Sequence, residues 1–216
     1  MNQLINLWQV LIARLRGVGD AVPNLAIRLI LGWEFMESGL EKYHGENWFA
    51  DVQSNFPFPF SAVPPELSWQ IATWFEILGG AFLWLGLATR FWAFSLLILD
   101  FVAIKAVHWE VFSGWSNLLK GYVITPDGFG NFKLPLLFAI LLLPLIFNGP
   151  GRISLDYLAA RWFKSAIYPE PELGLNAWAL ASLMIGACAL MLVPMIGAAL
   201  VALAVVLAAA GRWLRA

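Results

Sequence analysis

NAWALASLMIGACALMLVPMIGAALVALAVVLAAAG, residues 176–211, holds no charged side chain, and its reading decides the fold. As one straight helix it would run roughly 50 Å, far beyond the ~30 Å of hydrocarbon in a bilayer. Pro194 and Gly197 fall at its middle, where a tight helical hairpin can turn. Two crossings, about 177–193 and 195–211, are the favoured reading, and one long kinked helix is the alternative.

The rest of the chain has the same character. Apolar residues make up 61% and charged residues 12%, against ~45–50% and ~25% in ordinary soluble domains. A chain of 216 residues cannot hide that surplus in one soluble core, so lipid is the expected solvent. Twelve tryptophans suit the two membrane–water interfaces. A net charge of -1 with no basic run gives nothing for nucleic acid to hold. A single cysteine, Cys188, excludes an internal disulfide and a cysteine-based metal cluster, and packs as a small apolar residue.

Four further apolar stretches, near 24–43, 68–88, 91–109 and 133–148, bring the expected spans to six, or five if the last block does not turn. Pro135 and Pro144 predict a kinked or tilted fourth span. Residues 1–22 carry Leu4, Leu7, Trp8, Leu11, Ile12 and Leu15 at helical spacing, an amphipathic helix lying in the interface plane. Arg14 and Arg16 follow that apolar stretch, the reverse of a secretory leader, so no cleavable signal is expected. With the N-terminus inside, Arg14, Arg16, Arg90, Arg152, Arg161 and Lys164 collect on the cytoplasmic side. Arg212 and Arg215 join them only if the last block crosses twice.

Two loops are then external. Residues 44–67 contain the run FPFPF (56–60), expected to be extended, and residues 110–132 contain Trp115, Tyr122 and the turn Pro126-Asp127-Gly128. Ser154 can cap a short inner-surface helix, followed by the stiff linker YPEPE (168–172). The resulting organisation is an interfacial helix (1–22), a four-helix bundle (23–157), a surface helix and linker (158–175) and a hairpin (176–216).

Charge at membrane depth costs at least ~2.5–3.5 kcal/mol per group by insertion scales, so such residues are functional candidates. The first span carries Arg28, Glu34, Glu37, Glu41 and Lys42 and ends at His44, the second carries Glu76, and the third Asp100, Lys105 and His108. At ~100° per residue, Glu34, Glu37, Glu41 and His44 share an arc of roughly 80°, with Arg28 on the opposite side. Stacked carboxylates in low dielectric cannot all ionise, so the stripe can pass protons or take a cation. Glu41 and His44 form a Glu-x-x-His pair, the spacing used in di-metal bundles, without a second copy. A single metal ion on Glu41, His44 and His108 is the remaining metal reading. Alternatively Glu41 and His44 sit hydrated at the membrane edge, Glu34 and Glu37 pair with Lys105 or Arg90, and Asp100 with Lys105. If the stripe turns inward, Glu37, Glu41, Glu76, Asp100 and His108 line one polar cavity.

Four ordered pieces carry a resemblance. They are Arg28, Gly39 and Lys42 in the first span, then Glu76-Ile-Leu-Gly-Gly80 with Leu85-Gly86 and Arg90. His108 ends the third span, and Gly149-Pro-Gly-Arg152-Ile-Ser154-Leu-Asp156 leaves the fourth. Over about residues 24–157 the chain resembles the DoxX family of integral membrane proteins. The resemblance implies an all-α, polytopic four-helix membrane bundle, to which the amphipathic start and the C-terminal hairpin are additions. Members are similar to a subunit of a thiosulfate:quinone oxidoreductase, or belong to membrane oxidoreductase complexes or copper-responsive operons. Members with thiol chemistry need a cysteine pair, which this chain lacks.

The leading expectation is a quinone-interacting subunit of a membrane oxidoreductase in a bacterial inner membrane, both termini cytoplasmic. Trp33, Trp74 and Phe75 would wall the quinone pocket with Glu37 alongside, and Glu76, Asp100 and His108 would bind its carbonyls and relay protons. The sequence offers no redox centre of its own, so electrons would come from a partner protein or a bound cofactor. One alternative is a non-enzymatic role in metal or stress homeostasis, and another a scaffold for partner proteins; whether the chain catalyses anything stays open. A homo-oligomer is compatible with all three.

Overall fold

The computed structural model describes residues 2–123, 131–163 and 173–213, and among them every regular element is a helix. In order the helices are α1 (Asn2–Gly19), α2 (Val22–His44), α3 (Phe49–Val52), α4 (Pro65–Leu85) and α5 (Thr89–Val107). After them come α6 (Trp115–Gly121), α7 (Lys133–Phe147), α8 (Leu155–Trp162), α9 (Leu175–Leu192) and α10 (Pro194–Trp213). Short 3-10 turns occupy Gln53–Asn55, Phe60–Ala62 and Trp109–Ser113. Each of the six apolar stretches lies on a helix. The turn Pro126-Asp127-Gly128, the linker YPEPE (168–172), Lys164 and Arg215 lie outside the described residues.

The long apolar block breaks at Val193, whose φ of -130 and ψ of 87 leave the helical region. Pro194 follows as the first residue of α10, where its missing N–H costs no helical bond. Gly197 belongs to the packing face rather than to the turn: a Cβ there would come within 2.5 Å of Leu190 Cα. Gly186 lies against Leu200 and Val201, and Gly211 against Asn176, so the pairings step in opposite directions along the two helices. That register is an antiparallel hairpin. α9 and α10 are long and apolar enough to cross a membrane, and few residues of either are buried within the protein. α7 is apolar but shorter, with Pro144 inside it.

The chain divides into two compact units, one of Met1–Gly45, Thr73–Leu96 and Ile140–Ile167, the other of Glu46–Ala72, Leu97–Ala139 and Tyr168–Ala216. In the first, α2 and α4 meet at Gly32 and Gly80. A Cβ on Gly80 would stand 2.5 Å from Gly32 O, and one on Gly32 2.8 Å from Gly80 O. Only bare backbone permits this approach. Arg28, fully buried, donates from Nη1 to the carbonyls of Leu83 (3.2 Å) and Trp84 (3.3 Å) and from Nη2 to that of Ile153. It thereby caps the C-terminal end of α4, where the helix dipole favours a cation.

The exit from α7 is built from the 149–156 motif. Gly149 and Gly151 hold φ of 81 and 82, a conformation closed to most side chains. Ser154 Oγ accepts from Tyr157 N at 3.1 Å and caps α8, as the sequence predicts. Arg152 and Asp156, one helical turn apart in sequence, do not pair with each other. Asp156 instead accepts from the backbone N–H groups of Ala88 (2.8 Å) and Thr89 (3.0 Å), filling the open donors at the start of α5. Arg152 pairs with Asp20 at 3.3 Å.

In the second unit, Phe49, Phe56, Ala72 and Ala106 form a core cluster with Val52, Phe60, Trp69, Leu99 and Val102 packed on it. Phe49 meets Phe56 and Trp69 edge-on at 5.3 and 5.0 Å. The run FPFPF is not extended as expected. It turns back through the 3-10 segment Phe60–Ala62, because Gln53 Nε2 gathers the carbonyls of Phe60, Ser61 and Val63 and Phe56 is drawn into the cluster.

Candidate functional site

α2 presents two unlike faces. Arg28, Leu31, Gly32, Phe35 and Gly39 are buried, with Ser38 and Lys42 half-buried beside them. Trp33, Glu37, Leu40, Glu41 and His44 are exposed on the other side. The acidic stripe therefore exists as a stripe, but it does not turn inward, and Glu37 and Glu41 do not line an interior cavity. The reason is steric: Gly32 and Gly39 let α4 approach so closely that this face, not the carboxylate face, becomes the packing face. A Cβ on Gly39 would lie 2.8 Å from Ile77 N.

On the packing face, Lys42 Nζ donates to Glu76 Oε2 at 2.7 Å and to Ser38 Oγ at 2.8 Å, and the ion-paired side chains are 15% and 8% exposed. Glu76 is thus buried, and its partner is Lys42, a residue to which the sequence reading assigned no partner. The signal was present. Lys42 lies within roughly 60° of Gly39 around the helix and on the same side as Ser38, one turn earlier.

On the exposed face a shallow groove of about 450 Å³ is lined by Trp33, Met36, Glu37, Leu40, Glu41 and His44. Its wall is mostly apolar, and its polar groups are two carboxylates and an imidazole. His44 Nδ1 stands 2.9 Å from Leu40 O, one turn back in its own helix. Trp33 stacks on Trp84 at 6.1 Å, and Trp84 Nε1 donates to Leu29 O at 2.8 Å, so one wall of the groove is anchored to α4. The expected trio of Trp33, Trp74 and Phe75 is not assembled. Trp74 meets Tyr43 edge-on at 5.8 Å and Phe75 meets Trp92 at 5.7 Å, outside the groove.

Asp100 and His108 belong to the second unit. Asp100 is 6% exposed, and its Oδ2 finds no hydrogen-bond partner among the described residues. His108 is half-buried where α5 gives way to the 3-10 turn. The alternative pairings of Glu34 or Glu37 with Arg90 or Lys105 are also corrected. Arg90 donates to the carbonyls of Ile146 and Phe147, and Lys105 Nζ lies over the Trp109 ring at 4.4 Å. Among the described residues no three His, Cys, Asp or Glu side chains come together as a metal site; of the three expected ligands, Glu41 and His44 lie in the first unit and His108 in the second.

The comparisons bear on the helices that carry this geometry. The sequence model of the DoxX family matches residues 24–109, from early in α2 to just past α5. An uncharacterized protein of Haemophilus influenzae is 40% identical over 156 residues, covering 72% of this chain and 92% of that one. No solved structure matches. With that identity over nearly the whole of the relative, and the family match over α2 to α5, the chain belongs to the DoxX family.

Proposed function

We propose that this protein is a quinone-interacting subunit of a membrane oxidoreductase, embedded in a bacterial inner membrane. In this reading α2, α4, α5 and α7 are the four helices of the family's membrane bundle, and α9–α10 are an added hairpin. Both termini are cytoplasmic, while FPFPF and Trp115 face outward, on the arginine asymmetry of the loops. The exposed apolar faces of α9 and α10 support membrane embedding, since a soluble core helix would be covered.

The observation that carries the functional reading is the groove on the outer face of α2. In lipid, uncovered carboxylates on a spanning helix cost several kcal/mol each by the same insertion scales, so that face requires an occupant able to use them. A quinone fits. Its ring lies against Trp33, Met36 and Leu40, and its carbonyls reach Glu37, Glu41 and His44, which exchange protons with the membrane edge. A partner protein or its bound cofactor supplies the two electrons that accompany two protons in reducing quinone to quinol. Lys42, Ser38 and Glu76 hold α2 in register from behind and set the direction of the groove.

Photoreactive quinone added to the detergent-purified protein should label α2, and Trp33→Ala or Glu41→Gln should reduce labelling about tenfold, the order expected for one lost anchor. Labelling that ignores both substitutions overturns the reading. A protein partner retained without quinone would favour the scaffold alternative, and bound metal the homeostasis one. Cysteine labelling from outside at Gln53 and Lys120, with protection at Arg161, tests the topology.

A further inference from the structure

We propose that α1 and α8 together form a basic, aromatic platform that binds the headgroups of anionic phospholipids at one membrane surface. This rests on the membrane reading above but not on the quinone. α1 is uncovered along its length: Leu4, Leu7, Trp8, Leu11, Leu15 and Val18 are all exposed. At ~100° per residue these six fall within an arc of roughly 100°, with Arg14 beside one edge and Arg16 beyond the other. α8 repeats the design. Leu155, Leu158 and Trp162 share one side, all exposed, and Arg161 stands in the last turn.

The segments flanking the two helices meet at one place. Arg152 N donates to Asp20 O at 3.4 Å, and its guanidinium pairs with the Asp20 carboxylate. Asp20 follows the last residue of α1, and Arg152 precedes α8 by three residues, so the clasp holds the end of one helix to the start of the other. The same clasp consumes Asp20, and Asp156 is consumed by the start of α5. Arg14, Arg16 and Arg161 are therefore left without an acidic partner among the described residues.

Exposed leucine and tryptophan flanked by unpaired arginine need a partner that is apolar and anionic at once. An anionic leaflet offers both: the apolar arcs enter the acyl boundary while the guanidinium groups rise to the phosphates. A second copy of this chain, docked by the same surface, would set these arginines against one another.

The test uses the full chain in lipid nanodiscs, with Cys188→Ser and a nitroxide on Leu11→Cys. In discs of phosphatidylcholine mixed with phosphatidylglycerol, the label should be open to oxygen and shielded from aqueous nickel. In phosphatidylcholine alone it should be open to nickel. Arg14→Gln, Arg16→Gln and Arg161→Gln should each weaken the immersed population about fivefold, and high salt should abolish it. Equal immersion in both kinds of disc overturns the proposal and leaves membrane embedding intact. Shielding that follows protein concentration rather than lipid charge also overturns it, in favour of self-association. Failure of the chain to enter either disc overturns the membrane reading and this inference together.

Discussion

Removing either member of the Lys42–Glu76 pair should destabilise the protein far more than removing both. The two charges are 2.7 Å apart with side chains 15% and 8% exposed. At that separation and an effective dielectric constant of ~20, their attraction is about 6 kcal/mol before the cost of desolvation is subtracted. Desolvation takes back most of it, but a single truncation strands the surviving charge in a dry site, typically a loss of ~3–5 kcal/mol. Lys42→Met leaves Glu76 with no ammonium, and Glu76→Gln leaves Lys42 with only Ser38. The double variant strands nothing and should cost about 0–2 kcal/mol, giving a coupling energy of at least ~2 kcal/mol in a double-mutant cycle. Unfolding of purified protein by titration with SDS, followed by far-UV circular dichroism, gives all four corners. Single losses below about 1 kcal/mol that add within ~0.5 kcal/mol would refute the reasoning, because independent sites behave that way.

Gly80→Ala should cost roughly 1–3 kcal/mol, the usual range for overpacking, since its new methyl must displace the Gly32 carbonyl; a thermal melt of the folded fraction reads it. Arg28→Ala should lose about 3 kcal/mol or more by stripping the guanidinium from the Trp84 and Ile153 carbonyls and leaving Leu83 O with Gly86 N–H, and folded yield on size exclusion should fall with it. Arg152→Ala, at an ion pair whose side chains are 57% and 59% exposed, should cost less than about 1 kcal/mol by the same assay. Asp100→Asn should hold or raise stability by up to about 2 kcal/mol, because it removes a buried carboxylate with an unpartnered oxygen; a clear loss would mean that oxygen is engaged.

Helices were legible wherever the local pattern was one-dimensional. Apolar runs, the Pro194 break and the Ser154 cap are written in consecutive residues, and each appears where the sequence places it. Facing was harder, because direction is a contest between neighbours. Glu34, Glu37, Glu41 and His44 make a vivid stripe, yet Gly32, Gly39 and Arg28 on the other side decide which face packs. Absent side chains carried more information than charged ones. FPFPF misled for a related reason: proline chemistry alone favours an extended path, but Gln53 supplies donors from outside the run. Arg152 and Asp156, four residues apart, look like a local pair, whereas each is taken by a partner more than sixty residues away.

Arg28 also imposes an order on biogenesis. Its first two acceptors, Leu83 and Trp84, arrive with α4, but Ile153 lies 125 residues further along the chain than Arg28 itself. Until the ribosome has delivered the segment after α7, one arm of the guanidinium lacks the carbonyl it will finally hold. A nascent chain stalled before that point carries an incompletely coordinated cation between two helices already in contact. Such a chain also lacks the Asp156 carboxylate that fills the open donors at the start of α5, so two helix ends stay uncapped until the same segment arrives. The same guanidinium that closes α4 is, during synthesis, a record of whether the exit from α7 has arrived.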